Sequence, residues 1–406
     1  MPELLVIADD LTGALDTGVQ FAKEKIKTLV TTESEWNTLS LENVEILVID
    51  TETRHSQGRE AFDRIKRVLE LAKEEGVKYL YKKTDSTLRG NIGIEFLAIL
   101  QVYNRPIMFI PAFPKLKRFT INGIQYIDGT PIHMTDFSQD PLNPIRESYI
   151  PKIIEQPMLK TTVIRKESYE TFEIKQDFNV YIFDAQTDED ILRIGKILKK
   201  ENMLKITAGC AGFAEVLPKL IDFKQNRGQT KLNIKENYAI VICGSVNEKS
   251  LRQIEFAKRE LNFLDIVLSK QEIFNGQSLL SEDMFCNKRI AIRTARSKDE
   301  IENLSIDTEN FHQIILDKLA SIQEEISNRL NLSTFIVFGG DTLFKIIERL
   351  DIKYLEPIGE IETGVVISKA KGREKEFVFI TKAGGFGDID IITKITEFIE
   401  RRYICL

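Results

Sequence analysis

Short apolar runs alternate with amphipathic stretches from one end of the chain to the other, the pattern of a parallel or mixed sheet with helices on its faces. In the first half this pattern predicts strands over Leu4–Ala8, Ile26–Thr31, Val44–Ile49, Val77–Tyr81, Pro106–Ala112, Val180–Phe183 and Leu204–Ala208. Helical spacing lies between them, as over Gly58–Glu75, where Phe62, Ile65, Val68, Leu69 and Ala72 recur on one face. From about residue 113 to 151 the rhythm breaks: this stretch holds five of the eleven prolines and no helical period. Its aromatic and apolar content predicts an ordered excursion. Within it Ile121–Gly123 and Gln125–Ile127, followed by Asp128-Gly129, read as a small hairpin.

A polar stretch from about 220 to 237, punctuated by one glycine, reads as a linker. A second series then opens with Tyr238–Cys243 and continues through Phe263–Leu268, Arg289–Arg293 and Thr334–Phe338. Val365–Ser368 and Phe377–Thr381 read as antiparallel strands, and a terminal helix is predicted over about 388–401. The expected fold is α/β in two domains, residues 1–225 and 235–406. Each is a mostly parallel sheet flanked by helices, with some antiparallel strands in the second. A length of 406 residues agrees with two cores.

Composition narrows the chemistry only a little. A net charge of -6 argues against a nucleic-acid surface, where a clustered basic excess is expected, while leaving room for a small anionic substrate. The four cysteines, Cys210, Cys243, Cys286 and Cys405, stand far apart with no CxxC pair, which is neither a zinc pattern nor a disulfide framework. Two aspartates interrupt the N-terminus before a signal peptide could form, and no apolar run reaches the roughly 20 residues of a membrane span. A cytoplasmic location is expected. The mild acidity and the apolar excursion permit a homodimer without requiring one.

The chemistry-bearing residues sit where strands end. ADDLTGALD places Asp9 and Asp10 after the first strand, where open α/β sheets bind ligands; one of the pair capping the next helix is the plain alternative. TETRHS offers Arg54, able to grip a carboxylate bidentately, and the weaker candidate His55. KKTDSTLRGN gathers Lys83, Thr84, Asp85, Ser86 and Arg89 at one strand-to-helix junction, a receptor for an anionic, hydroxylated molecule. The second half carries glycine turns instead: Gly244-Ser245, Gly339-Gly340-Asp341-Thr342, and Gly384-Gly385 with Gly387. Three such turns after three strands read as a nucleotide pocket, since glycine lets the backbone approach a phosphate. The P-loop, dinucleotide and protein-kinase fingerprints are all absent.

Taken in order, IADDLTGALD, KKTDSTLRGN, PAFP…NGIQYIDGTPIH, GCAGFAEVL, CGSVNEKS, FGGDT and KAGGFGD resemble the four-carbon acid sugar kinases over nearly the whole chain. The resemblance implies a sugar-acid-binding N-terminal domain, a nucleotide-binding C-terminal domain, and transfer of phosphate from ATP with Mg²⁺ to the terminal hydroxyl of an acid such as threonate, erythronate or 3-oxo-tetronate. It implies a substrate side of Asp9, Asp10, Arg54, Lys83, Thr84, Asp85, Ser86 and Arg89, and an ATP side of Ser245, Gly339, Gly340, Asp341, Thr342 and Gly384. Asp341, Asp85 and Asp10 are all candidates for the catalytic base, with Asp85 favoured as the substrate-orienting acid and Asp341 as base or metal partner. No metal ligand set is assigned. The family's Gly-Arg pair after PAFP reads Lys117-Arg118 here, its Arg before the DP pair is Gln139, and Cys210 stands where Ser is frequent. These departures bear on the choice of substrate. A sugar phosphatase is the rival reading, but its second aspartate, two residues beyond Asp9, would be Leu11. A non-catalytic acid-sugar sensor is the other, and it would have no use for the glycine turns.

Overall fold

The computed structural model describes residues 1–139, 143–224, 231–234, 237–274, 281–297, 300, 308–401 and 403–405. The chain forms two compact units, Met1–Asn226 and Arg227–Leu406. The middle of the expected linker, residues 225–230 with 235–236, lies outside the described residues.

In the first unit the strands are β1 (Leu4–Ala8), β2 (Thr28–Thr32), β3 (Ile46–Asp50), β4 (Tyr79–Lys83), β5 (Ile107–Ile110), β6 (Arg118–Ile121), β7 (Ile124–Ile127), β8 (Thr130–Pro131), β9 (Thr161–Ile164), β10 (Val180–Phe183) and β11 (Ile206–Gly209). Eight of them form a parallel sheet in the order β2-β3-β1-β4-β11-β5-β10-β9. β1 and β3 are buried along their whole length, as expected of strands covered on both faces. Helices α1 (Leu11–Ala22), α2 (Gly58–Glu74) and α3 (Ile92–Tyr103) supply much of that cover. α2 turns Ala61, Ile65, Val68, Leu69 and Ala72 to the core; Phe62, expected on that face, is only partly buried.

Several strands begin two residues later than the apolar pattern suggests. Pairing sets their start: Leu4 lies opposite Ile46 and Tyr79, and Ile46 opposite Thr28. Ile26 and Val44, apolar but outside the ladder, close the bottom of the core at 3% and 4% exposure. Strand β9 escaped the sequence pattern because it is a half-buried edge that, among the described residues, pairs only with β10. The excursion after β5 is an antiparallel meander of β6, β7 and β8 rather than a single hairpin. Its two turns, Asn122-Gly123 and Asp128-Gly129, both have positive φ at each residue, as tight two-residue hairpin loops require.

The second unit contains β12 (Lys231–Asn233), β13 (Ala239–Cys243), β14 (Leu264–Val267), β15 (Arg289–Arg293), β16 (Thr334–Phe338), β17 (Tyr354–Glu362), β18 (Val365–Lys371), β19 (Glu376–Lys382) and β20 (Tyr403–Cys405). Its main sheet runs β14-β15-β13-β16-β19-β18-β17, parallel as far as β19 and antiparallel beyond. β12 and β20 pair separately. The long β17 was hidden in the sequence because Pro357 and Gly359 interrupt it, and the register slips between them. The last helix covers Ile391–Glu400, with 388–390 in the turn before it. Among the described residues no helix is long and apolar enough to cross a membrane.

The two units open alike. In each, the first strand's connection runs to one side of the sheet, to β2 or β14, and the fourth strand, β4 or β16, is added on the other side. Outgoing loops therefore part between β1 and β4, and again between β13 and β16. Such a switch point leaves a crevice at the carboxyl ends of the strands.

Candidate functional site

At the β1/β4 crevice the three polar motifs of the first unit come together. Asp10 caps α1, accepting hydrogen bonds from Gly13 N at 2.9 Å and Thr12 Oγ1 at 2.6 Å. Arg54 spans both aspartates: Nε and NH2 donate to Asp9 at 2.9 Å each, and NH1 and NH2 to Asp10 at 2.7 Å each. The bidentate grip expected of Arg54 is thus exercised on the protein's own carboxylates. Burial opposes the charge on Asp9, but Arg54 and Lys82 outweigh it and hold the carboxyl below its ordinary range.

The loop after β4 is tied to the loop after β3 by Asn91 Nδ2, which donates to Thr53 O at 2.7 Å and Ser56 O at 2.9 Å. Asp85 accepts from Arg89 Nε at 2.7 Å and from the Thr87 hydroxyl. Burial would raise its pKa; Arg89 and Arg54 prevail and keep it well below the usual carboxylate range. The Arg89 guanidinium also lies 5.3 Å from the Phe137 ring centroid. Lys83, only 4% exposed, carries its Nζ to the first turn of α1 beside Gly13. Thr84 Oγ1 is buried without a hydrogen-bond partner. Ser86 is buried and offers its carbonyl to Gln125 Nε2 at 3.2 Å. His55 is exposed and bonded to Asn143.

Beneath this surface lies a buried pair that sequence spacing did not reveal. Lys82 Nζ sits 3.1 Å from Glu95 Oε2, with both side chains at most 1% exposed, and Glu95 accepts from Thr53 Oγ1 at 2.5 Å. The signal was the doublet Lys82-Lys83: adjacent strand residues point to opposite faces, so Lys82 enters the core and Lys83 the crevice.

The second unit gathers its glycine turns at the β13/β16 crevice. Gly339 follows β16 with φ 112 and ψ 134, a backbone that side chains resist, and a carbon placed on it would lie 3.5 Å from Ser245 N. A carbon on Gly384 would lie 2.9 Å from both Ser245 Oγ and Asn247 Cβ. Thr342 presses against Gly244. Asp341, in the first turn of the helix Gly340–Arg349, reaches outward, with His312 Nε2 at 3.3 Å from its Oδ2.

Lys382 and Gln253, neither a sequence candidate, organise the Gly384 turn from below. Lys382 Nζ donates to the carbonyls of Ala383 at 3.1 Å, Gly384 at 3.0 Å and Phe386 at 3.3 Å, and lies 4.5 Å from the Phe338 ring centroid. Gln253 Nε2 takes the carbonyls of Phe386, Gly387 and Asp388 at 2.9–3.1 Å. With its carbonyls drawn inward and the amides of Phe386 and Asp388 taken by Ala383 O and Glu362, the turn's remaining amides belong to glycines, a composition that suits an anion cradle. Burial pushes the Lys382 ammonium down to about 7, while the carbonyl acceptors favour its charged form.

Only one carboxylate cluster among the described residues has metal-ligand spacing: Glu362, Asp388 and Asp390, with donor oxygens within 4.8 Å of one another. Lys394 Nζ already stands among them, bonded to Glu362, 3.1 Å from Asp390 and 3.9 Å from Asp388.

Known protein families match the chain in two segments. Residues 4–217 match the family model described as a sugar-binding N-terminal domain, and residues 240–392 that of a nucleotide-binding C-terminal domain. The chain is 25% identical to the D-threonate kinase of Salmonella typhimurium, over 99% of each chain. It is 22% identical to the D-erythronate kinase of Heliobacterium modesticaldum, covering 98% of this chain and 97% of that one. It is also 22% identical to the 3-oxo-tetronate kinase of Methylobacterium radiotolerans, covering 97% and 98% respectively. Solved structures from Haemophilus influenzae (TM-score 0.71, 19% identity, 97% of this chain and 100% of that one) and Salmonella typhimurium (TM-score 0.77, 20% identity, 97% and 99%) share the fold.

Proposed function

The chain belongs to the four-carbon acid sugar kinase family, and from that premise we propose that it moves the γ-phosphate of ATP onto the terminal hydroxyl of a small acid sugar of the threonate, erythronate or 3-oxo-tetronate type. It is a carbohydrate kinase. The observation that carries the finer reading is the division of labour between the crevices: paired acids and cations after β1, β3 and β4, and converging glycine turns after β13, β16 and β19.

Phosphoryl transfer asks the protein mainly for position and charge neutralisation. In the proposed roles, Asp10 accepts from an acceptor hydroxyl, and the buried Asp9 fixes Arg54 beside it. Asp85 orients the hydroxyl that attacks, and its depressed pKa keeps it ionised across the neutral range. Thr84 and Ser86 add hydroxyls to the same pocket. Ser245, the run Gly339–Thr342 and Gly384 hold the phosphates. The outward carboxylate of Asp341 is an oxygen donor that suits Mg²⁺, which when bound would neutralise charge on the phosphate oxygens. A phosphatase needs an aspartate free to attack phosphorus, and both oxygens of Asp9 accept from Arg54.

The reading is tested by ADP release from Mg-ATP over a panel of four-carbon sugar acids. Turnover of at least one is expected, and silence on all of them would remove the assignment. A second expectation concerns the cradle: Lys382→Met should raise the KM for ATP about tenfold, the worth of one charged hydrogen bond, while the acceptor KM holds. Parallel steady-state titrations of both substrates would show it, and equal changes in both would mean that Lys382 merely supports the fold.

A further inference from the structure

Buried cations are costly unless an acid answers them. In the first unit Lys82 has Glu95, Arg54 has Asp9 and Asp10, and Arg89 has Asp85. Lys83 and Arg118 have no ion pair among the described residues. Arg118 donates from NH1 to the carbonyl of Leu116 at 2.9 Å, and its Nε is buried with no partner.

Its placement is built rather than incidental. Arg118 opens β6 and exchanges both backbone hydrogen bonds with Phe113, just beyond the end of β5, which fixes it at the carboxyl edge of the sheet. Thr120, two residues on and therefore on the same face, bonds Gln125 at 2.7 Å, and Gln125 in turn donates to Ser86 O. The face that carries Arg118 is thus turned to the Thr84–Ser86 loop, where Thr84 Oγ1 is also buried without a hydrogen-bond partner. Arg118 lies in electrostatic reach of Asp85, Cys210 and Asp128, and Lys83 in reach of Cys210 and Asp9, so both border the same loop cluster.

We propose that Arg118, with Lys83, seats the carboxylate of the acceptor, and that Arg118 is the residue that makes this pocket choose an acid over a neutral polyol. The assignment rests on the kinase reading above. Arg54 and Arg89 then serve to hold aspartates in place, and the acceptor's negative charge falls to the two cations that lack one.

The test compares wild type, Arg118→Met and Arg118→Lys on the best four-carbon acid and on the polyol of the same carbon skeleton. For the Met variant kcat/KM on the acid should fall about a hundredfold, the worth of a pair of charge-assisted hydrogen bonds, with the KM for ATP unchanged. Turnover of the polyol should be unaltered, so discrimination collapses, and Lys should restore part of it. Equal losses on acid and polyol, or no loss on the acid, overturn the assignment of Arg118 while leaving the kinase intact. Wild type that turns over no acid overturns the reading beneath it.

Discussion

Replacing Asp85 by asparagine is expected to lower kcat by about 10²–10⁴-fold, the span over which a positioned proton acceptor contributes. The KM for ATP should be unaffected, because the glycine turns belong to the other unit. Asparagine fits the same space, yet it loses the charge that Arg89 and Arg54 are arranged to sustain, and it turns an amide towards donors such as Arg89 Nε and the Thr87 hydroxyl. Near-normal kcat in single-turnover measurements would end the assignment of Asp85. Stability gives a second reading of the same variant. A carboxyl whose folded pKa is depressed contributes stability that is present above its unfolded value, about 3.9, and lost as pH falls through the folded value. The gap between wild type and variant should therefore be full at neutral pH and close only in strong acid.

Arg54→Gln should cost about 3–5 kcal/mol of folding stability, the usual penalty for removing one partner of a buried ion pair. The guanidinium gives four of its five N–H groups to Asp9 and Asp10, and Asp9 is 2% exposed, so water cannot replace what is lost. Asp9 would then face Lys82 as its chief remaining buried counter-charge. Adding Asp9→Asn to Arg54→Gln should recover part of the loss, since the second change removes the stranded charge. Urea denaturation of the two single variants and the double variant measures this coupling. A loss under about 1 kcal/mol for Arg54→Gln would place the pair with ordinary surface ion pairs.

Much of this arrangement is legible in the sequence because parallel strands announce themselves as apolar runs and the chemistry sits just past their ends. Asp9, Arg54 and Asp85 could be picked out in that way from three separate loops. Their partners could not, since strand order decides which loops meet, and nothing in the residues between β1 and β4 states that the two strands are neighbours. The turns Asn122-Gly123 and Asp128-Gly129 carried a local signal; what they deliver, Arg118 above the Ser86 loop, depends on a long-range bond through Gln125. Lys382 stood in plain view beside the glycines. Its use became apparent only from the carbonyls that fold back onto it.

The shared opening of the two sheets has a bearing on how such a chain can drift. The reversal of strand order fixes where a crevice lies without naming any residue in the strands. Valine, isoleucine and leucine can therefore exchange along β1 or β13 with small changes in packing. Divergence can accumulate in the layers while a few loop positions hold the chemistry, and whole-length relatives at 22–25% identity fit that economy of constraint.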